Sequence, residues 1–334
     1  MVRTTGTAGT RDSTSWTGDS GLGTRGKAPC VSDGVRVRCF IGPRFAFVRC
    51  PHHRTRRDPS RVPSPQSPVP DVESRVPAVP VVLTIAGSDS GGGAGIQADL
   101  KTFMARGVHG TSAITAVTAQ NTRGVSSVHV LPAREVRAQI EAVFADFPVA
   151  AVKTGMLASA PVIRAVARAL RRHPALPVVV DPVLIATSGA RLLAADALRV
   201  LIDELLPLAT VLTPNLPEAA ALTGTDARDP RNLQRVIEKL MALGPRAVLL
   251  KGGHARGRAV HDRFGDADGS LEFVHARRAG EAHGTGCTLA AALAAELAKG
   301  RSPRRAATLA VAYVQRALAR GHALRRGGLL LLRH

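Results

Sequence analysis

From Val81 onward, short apolar or β-branched runs alternate with longer stretches in which Ala, Leu and Val recur at helical spacing among Arg and Glu. A strand covered on both faces reads as a continuous apolar run, whereas a helix packed on a sheet carries an apolar stripe of period 3.6. The pattern predicts strands at residues 81–86, 112–118, 150–154, 178–180, 210–213 and 247–251. It predicts helices at residues 96–105, 133–147, 161–173, 196–206, 217–222, 232–243, 288–299 and 303–319. Such alternation marks βα units around a mainly parallel sheet, so the fold class is α/β and residues 80–326 make one domain. In doubly wound sheets ligands sit beyond the carboxyl ends of the strands, which directs attention to the loops that follow them.

Residues 1–79 have another texture. A Gly/Ser/Thr stretch gives way to Arg and then to a run dense in proline, with Pro59, Pro63, Pro65, Pro68, Pro70 and Pro77. Too little apolar surface is available there to offset the entropy of ordering, and the segment is expected to be disordered. The more apolar stretch 35–48 leaves room for short local structure, and a translation start placed too far upstream accounts for the same texture. Residues 327–334 read as a short C-terminal tail.

Composition narrows the function classes. Hydrophobic residues at 45% suffice for a sizeable core. The net charge of +20 points towards a polyanionic partner. Yet 13 basic and 6 acidic residues fall in 1–80 against 32 and 19 in 81–334, so the excess is spread along the chain, and aromatics at 3% offer few stacking platforms. We therefore expect no nucleic-acid partner. Of the cysteines only Cys287 lies outside the first 50 residues, which is no disulfide framework. No apolar run approaches the roughly 18–20 residues that cross a bilayer, and no signal-peptide core is present. No membrane association and a cytoplasmic location are the expectations.

Three loops concentrate unusual residues. Gly87-Ser88-Asp89-Ser90-Gly91-Gly92-Gly93-Ala94-Gly95 would bring backbone close to a ligand and expose amide donors at a helix start. It has neither the Gly-Lys-Ser/Thr of a P-loop nor the dinucleotide spacing. Asn215 and Glu218, three residues apart, suit either a capping box or an Asn-x-x-Glu pair ordering a hydrated Mg²⁺ beside phosphates. His283-Gly284-Thr285-Gly286-Cys287 opens an Ala-rich helix, where free N–H groups and the positive end of the dipole favour an anion. Cys287 is expected there with a lowered pKa if it is functional, the alternative being a small buried residue at a tight turn.

Seven segments in this order, Gly87–Phe103, Ala116–Thr122, Lys153–Leu157, Val180–Val183, Thr213–Ala219, Leu250–His254 and His283–Thr288, closely resemble the hydroxymethylpyrimidine/phosphomethylpyrimidine kinases of thiamine biosynthesis. The resemblance implies a ribokinase-like three-layer αβα sandwich, with a homodimer as one expected assembly. It implies ATP-dependent phosphorylation of 4-amino-5-hydroxymethyl-2-methylpyrimidine and then of its monophosphate. Carried over by position, Gln120, Gly87, Asp99, Met156 and Val183 would surround the pyrimidine. Asn215 and Lys251 would lie on the nucleotide side, Glu218 and Asp181 by Mg²⁺, and Gly284, Thr285, Gly286 and Cys287 would form the catalytic anion hole. Gln120 is apt on chemical grounds, since a carboxamide can accept from an exocyclic amine while donating to the neighbouring ring nitrogen. Asp181 ends a buried strand and needs a partner.

Relatives usually carry Asn-Thr where this chain has Glu281-Ala282, and end differently from Arg325–His334. A pyridoxal-type kinase and a non-catalytic pyrimidine-binding module remain the competing readings. The intact Asn215, Glu218, Lys251 and Gly284–Cys287 count against the second.

Overall fold

The computed structural model describes residues 30–32, 35–40, 79–184, 192–194, 196–255, 257–278, 280, 282–324 and 329–334. The chain's first described elements are two antiparallel strands, β1 (Cys30–Ser32) and β2 (Val35–Phe40). β2 falls in the stretch 35–48, for which the sequence allows short local structure, and β1 just before it in the same extension. Val-Arg-Val-Arg-Cys-Phe alternates with the period of a strand, and a sheet edge offers it unpaired backbone groups. The rest of residues 1–78, Cys50 included, lies outside the described residues, as does Glu281.

The domain proper begins with β3 (Val81–Asp89), α1 (Gly95–Ala105), β4 (His109–Asn121), β5 (Gly124–Val130) and α2 (Ala133–Asp146). Then come β6 (Val149–Thr154), α3 (Ala160–Arg171), β7 (Val178–Val180) and α4 (Ala197–Val200). After α4 a π-helical turn, Leu201–Leu205, and a 3₁₀ turn, Leu206–Leu208, replace the single helix predicted to run to 206. Pro207 has no N–H to donate, so regular helix cannot pass through it. The chain continues through β8 (Val211–Leu212), α5 (Leu216–Thr223), α6 (Leu233–Ala242) and β9 (Ala247–Leu250). A hairpin of β10 (Ala259–Asp266) and β11 (Gly269–Ala276) follows, then β12 (Ala282–His283), α7 (Thr285–Ala298), α8 (Pro303–Ala319), β13 (His322–Ala323) and β14 (Leu330–Leu331).

Eleven of these strands form one sheet in the order β1-β2-β11-β10-β9-β8-β7-β6-β3-β4-β5. Its centre, β9-β8-β7-β6-β3-β4, is parallel throughout, and antiparallel strands flank it on both sides. β2 pairs along the outer edge of β11. One face buries Val136 and Ile140 of α2, Val162 and Val166 of α3, Leu216 of α5 and Val236 of α6. The other buries Phe103 of α1, Leu289 and Leu293 of α7, and Val311 of α8. This is the three-layer αβα arrangement anticipated above. The hairpin β10–β11 and the edge strand β5 were missed because they mix polar and apolar residues and follow no βα rhythm. β12, β14 and β13 form a separate small sheet.

From β3 the chain goes to β4 on one side and later to β6 on the other. That reversal is a topological switch point, where the loops leaving the carboxyl ends of adjacent strands diverge and open a crevice.

Candidate active site

A cavity of about 700 Å³ occupies that crevice, within the usual span of small-molecule sites. Its walls come from the carboxyl ends of β3, β4, β6, β7, β8 and β9 and from the start of α7. Of the residues singled out by sequence, Gly87, Gln120, Met156, Val183, Asp181, Asn215, Glu218, Lys251, Gly284, Thr285, Gly286 and Cys287 all line it.

Asp99 does not. It is fully buried on α1, where Oδ2 accepts from Thr84 Oγ1 at 2.6 Å and from Lys153 Nζ at 2.8 Å. Helical spacing turns Asp99 inward, towards β3 and β6 rather than the cavity. Lys153 is itself fully buried, yet it borders the cavity. Burial alone would lower its pKa, but Asp99, by charge and by hydrogen bond, together with Cys287 and Asp181, outweighs that and holds the ammonium protonated. The chain thus sets a fixed positive charge beneath the site, carried by a lysine that the sequence gave no role.

One end of the cavity is apolar. Met156, Val183 and Leu192 line it there, packed against Ala116 and Ala158 behind them. A Cβ on Gly87 would lie 3.1 Å from the Met156 sulfur, so a larger residue would displace the methionine. Gln120 closes this end, its amide within 3.3 Å of Thr118 Oγ1 and 3.2 Å of His283 Nε2.

The glycine-rich loop does something other than expected. Gly91 donates to Asp89 Oδ1 at 2.8 Å, while Gly93 and Ala94 donate to Oδ2 at 3.0 and 2.8 Å. These amides are therefore spent on Asp89, and the loop serves as a wall wrapped round that carboxylate. Gly284, with φ +80°, packs directly on the Gly93 carbonyl, and any Cβ there would collide with it. That contact joins the loop to the start of α7.

The opposite end is charged. Lys251 Nζ donates to Asp181 Oδ1 at 2.8 Å and lies 3.8 Å from Glu218 Oε2, and Thr213 Oγ1 donates to Asp181 at 3.3 Å. Asp181 thus has the partner its burial requires. Burial lowers the Lys251 pKa, but Asp181 and Glu218 outweigh it and keep the lysine charged. Asn215 and Glu218 complete a capping box: Glu218 N–H donates to Asn215 Oδ1 at 2.9 Å and Asn215 N–H to Glu218 Oε2 at 2.8 Å. Burial then pushes the Glu218 carboxyl up to about 7, partly countered by Lys251.

Above this charge cluster stand Thr285, Gly286 and Cys287 in the first turn of α7, whose N–H groups have no helical acceptor. A Cβ on Gly286 would come within 3.1 Å of Lys251 Nζ. The expectation of a lowered Cys287 pKa fails. Burial pushes the thiol up to about 11, and the Lys153 charge recovers only part of that. Desolvation is stronger here than the helix dipole.

Asp89, Lys153 and His283 were each inside a motif read from the sequence, but nothing in a sequence says which motif residues meet. Asp262 was missed entirely: its Oδ1 accepts from Gly252 N–H at 2.8 Å and its Oδ2 pairs with His275 Nε2 at 2.9 Å, anchoring the turn after Lys251.

The fold, with its site in the crevice beyond the strand ends, is that of a ribokinase-like small-molecule kinase. A phosphomethylpyrimidine kinase profile matches residues 89–330, and the chain belongs to that family. A hydroxymethylpyrimidine/phosphomethylpyrimidine kinase of Rhizobium meliloti is 53% identical over 240 residues, 71% of this chain and 90% of its own length. The crystal structure of phosphomethylpyrimidine kinase from Clostridium difficile 630 superposes with a TM-score of 0.64 at 44% identity, over 71% of this chain and 99% of that one. Pyridoxal kinase from Staphylococcus aureus, in complex with AMP-PCP and pyridoxal, gives a TM-score of 0.70 at 32% identity over 77% of this chain and 94% of that one. The enzyme is accordingly a kinase with ATP as phosphoryl donor.

Proposed function

We propose that this enzyme phosphorylates the hydroxymethyl group of 4-amino-5-hydroxymethyl-2-methylpyrimidine, and then the resulting monophosphate, on the route to thiamine diphosphate. The observation that carries this reading is the polarity of one cavity, with the Gln120 amide and Met156 at one end and Lys251, Asp181 and the α7 amides at the other. An aminopyrimidine fits the first end, because Gln120 can pair with the amino group and ring nitrogen while Met156 covers the ring face. Its hydroxymethyl oxygen would then point along the cavity towards Gly286 and Cys287.

Phosphoryl transfer passes through a loose transition state and gains mostly from positioning and charge stabilisation. The N–H groups of Thr285, Gly286 and Cys287, the dipole of α7 and the Lys251 ammonium supply that stabilisation, and Lys153 adds a fixed charge below. Asn215 and Lys251 border the nucleotide. Among the described residues no group of three or more His, Cys, Asp or Glu converges as a metal cage. Mg²⁺ needs none, because it favours one or two carboxylates together with water and phosphate. Glu218, raised by burial and next to Asp181, is a carboxylate that a cation would relieve. Glu218 and Asp181 would hold Mg²⁺, which when bound neutralises charge on the nucleotide phosphates.

We place a homodimer contact at the edge strand β5, where Val128 and Val130 share one face and are 40% and 38% exposed. Among the described residues no helix is long and apolar enough to cross a membrane, and we place the enzyme in the cytoplasm, where its donor is available. The test is ATP consumption with hydroxymethylpyrimidine, its monophosphate and pyridoxine side by side. The proposal expects kcat/KM to favour both pyrimidines; a preference for pyridoxine would overturn it.

A further inference from the structure

We infer that His283 is a positioning residue that fixes which way round the Gln120 amide faces its ligand, and so sets the enzyme's preference for an amino group over a carbonyl on the ring. The inference rests on Gln120 as the pyrimidine contact.

Two groups compete for one ring nitrogen. His283 Nε2 lies 3.1 Å from Asp89 Oδ2 and 3.2 Å from the Gln120 amide, and the histidine is buried. The amide is placed with Nε2 towards His283 and Oε1 towards Thr118 Oγ1, an assignment that only the hydrogen-bond partners can decide. Asp89 Oδ2 is an acceptor that already receives N–H bonds from Gly93 and Ala94. Burial pushes the Asp89 carboxyl up, but the bonds from His283, Ala94 and Gly91 outweigh it and hold it below the ordinary carboxylate value. An ionised carboxylate at 3.1 Å demands a proton on His283 Nε2. With that proton in place the nitrogen cannot accept, so a second N–H donor cannot face it. The Gln120 end nearest His283 must be the carbonyl oxygen.

The other end of the amide agrees. The two ends of a carboxamide are told apart by their partners, and here the partner is Thr118 Oγ1. That hydroxyl has one proton and two acceptors within reach, the Ser88 carbonyl at 3.0 Å and Gln120 Oε1 at 3.3 Å, and the shorter bond to Ser88 takes it. It is free to accept, and therefore faces the Gln120 NH₂. Asp89 Oδ2 and the Gln120 oxygen then share the one His283 Nε2 proton, and the Gln120 NH₂ donates to Thr118, which donates to Ser88, whereas the reversed amide sets donor against donor at His283. The main chain of Gln120 is fixed as well, since its N–H donates to Ser90 Oγ and its C=O accepts from the same hydroxyl, both at 2.8 Å. What remains for a ligand is one N–H and one oxygen lone pair in a set order. That order matches an amino group beside a bare ring nitrogen and mismatches a carbonyl beside a ring N–H.

Two measurements test this. Nitrogen-15 NMR of histidine-labelled wild-type enzyme, with the His283 resonances assigned by their loss in His283→Phe, is expected to show Nε2 protonated at neutral pH. An unprotonated Nε2 would overturn the inference. The second is the ratio of kcat/KM for the 4-amino pyrimidine over its 4-oxo analogue. In His283→Phe, and independently in Thr118→Val, the amide is released to turn, and the ratio is expected to fall by roughly tenfold in each. A purely structural role would lower both substrates alike and leave the ratio unchanged, which would also overturn it. Gln120→Ala separates the two layers of argument: if it leaves the KM for the pyrimidine unchanged, the pocket reading itself is wrong. If it raises that KM while His283→Phe and Thr118→Val keep the wild-type ratio, only the positioning role falls.

Discussion

Replacing Cys287 by alanine separates a base from an anion hole. In the protein the thiol is pushed up to about 11, against an ordinary value of 9.0. At pH 8 only about one molecule in a thousand then carries a thiolate, compared with about one in ten for an ordinary cysteine. The higher pKa also makes each thiolate more nucleophilic, by roughly tenfold over two units. Cys287 should accordingly react with iodoacetamide about tenfold more slowly than an unhindered thiol, as followed by peptide mass spectrometry that resolves it from Cys30, Cys39 and Cys50. A thiol so protonated is a poor proton acceptor at neutral pH. The amides of Thr285, Gly286 and residue 287 survive the substitution, as does the dipole of α7. Cys287→Ala should therefore lower kcat by less than about tenfold, where loss of a true general base costs roughly 10²–10⁴-fold. A loss above a hundredfold at unchanged KM, or an alkylation profile with an apparent pKa below 8, would refute the assignment.

Three further outcomes are expected. Asp99→Asn leaves Lys153 buried without its charge partner, which typically costs about 3–5 kcal/mol; Tm should fall by on the order of 10 °C, and a selective rise in pyrimidine KM at unchanged Tm would instead put Asp99 in the pocket. Glu218 has a folded-state pKa of about 7, above its ordinary 4.5, so protonation favours the fold and ligand-free enzyme should lose stability as pH rises from 4.5 to 7. The loss is on the order of 3 kcal/mol and should be absent from Glu218→Gln in denaturant titrations across that range; equal slopes would be evidence against it. A chain beginning at Val79 should fold and turn over normally, because the Clostridium difficile enzyme is matched over 99% of its length by 71% of this chain; aggregation on truncation would mean that β1 and β2 are needed to cover the β11 edge.

The sequence by itself determined the layer architecture and the list of loops that matter. Continuous β-branched runs such as Val178–Val180, too short for helices, read as strands covered on both faces, and the helical stripes between them as the covers. The same periodicity was silent on β10, β11 and β5, whose placement depends on pairing with strands already formed. Local signals also offered the capping box of Asn215 and Glu218 as one of two readings, because its partners are three residues apart, and the fold forms it. Interactions across long separations were another matter. Asp99 lies in a segment that resembles the family's first motif, yet the turn of α1 and a lysine 54 residues away decide that it faces the core. Asp89 and His283 are 194 residues apart, and only the packing of α7 on the glycine-rich loop brings them within hydrogen-bond reach. The Cys287 thiol shows the same limit in energetic form. A helix start argues for a lowered pKa from sequence, but desolvation depends on how many distant segments close over the sulfur, and only the folded chain fixes that.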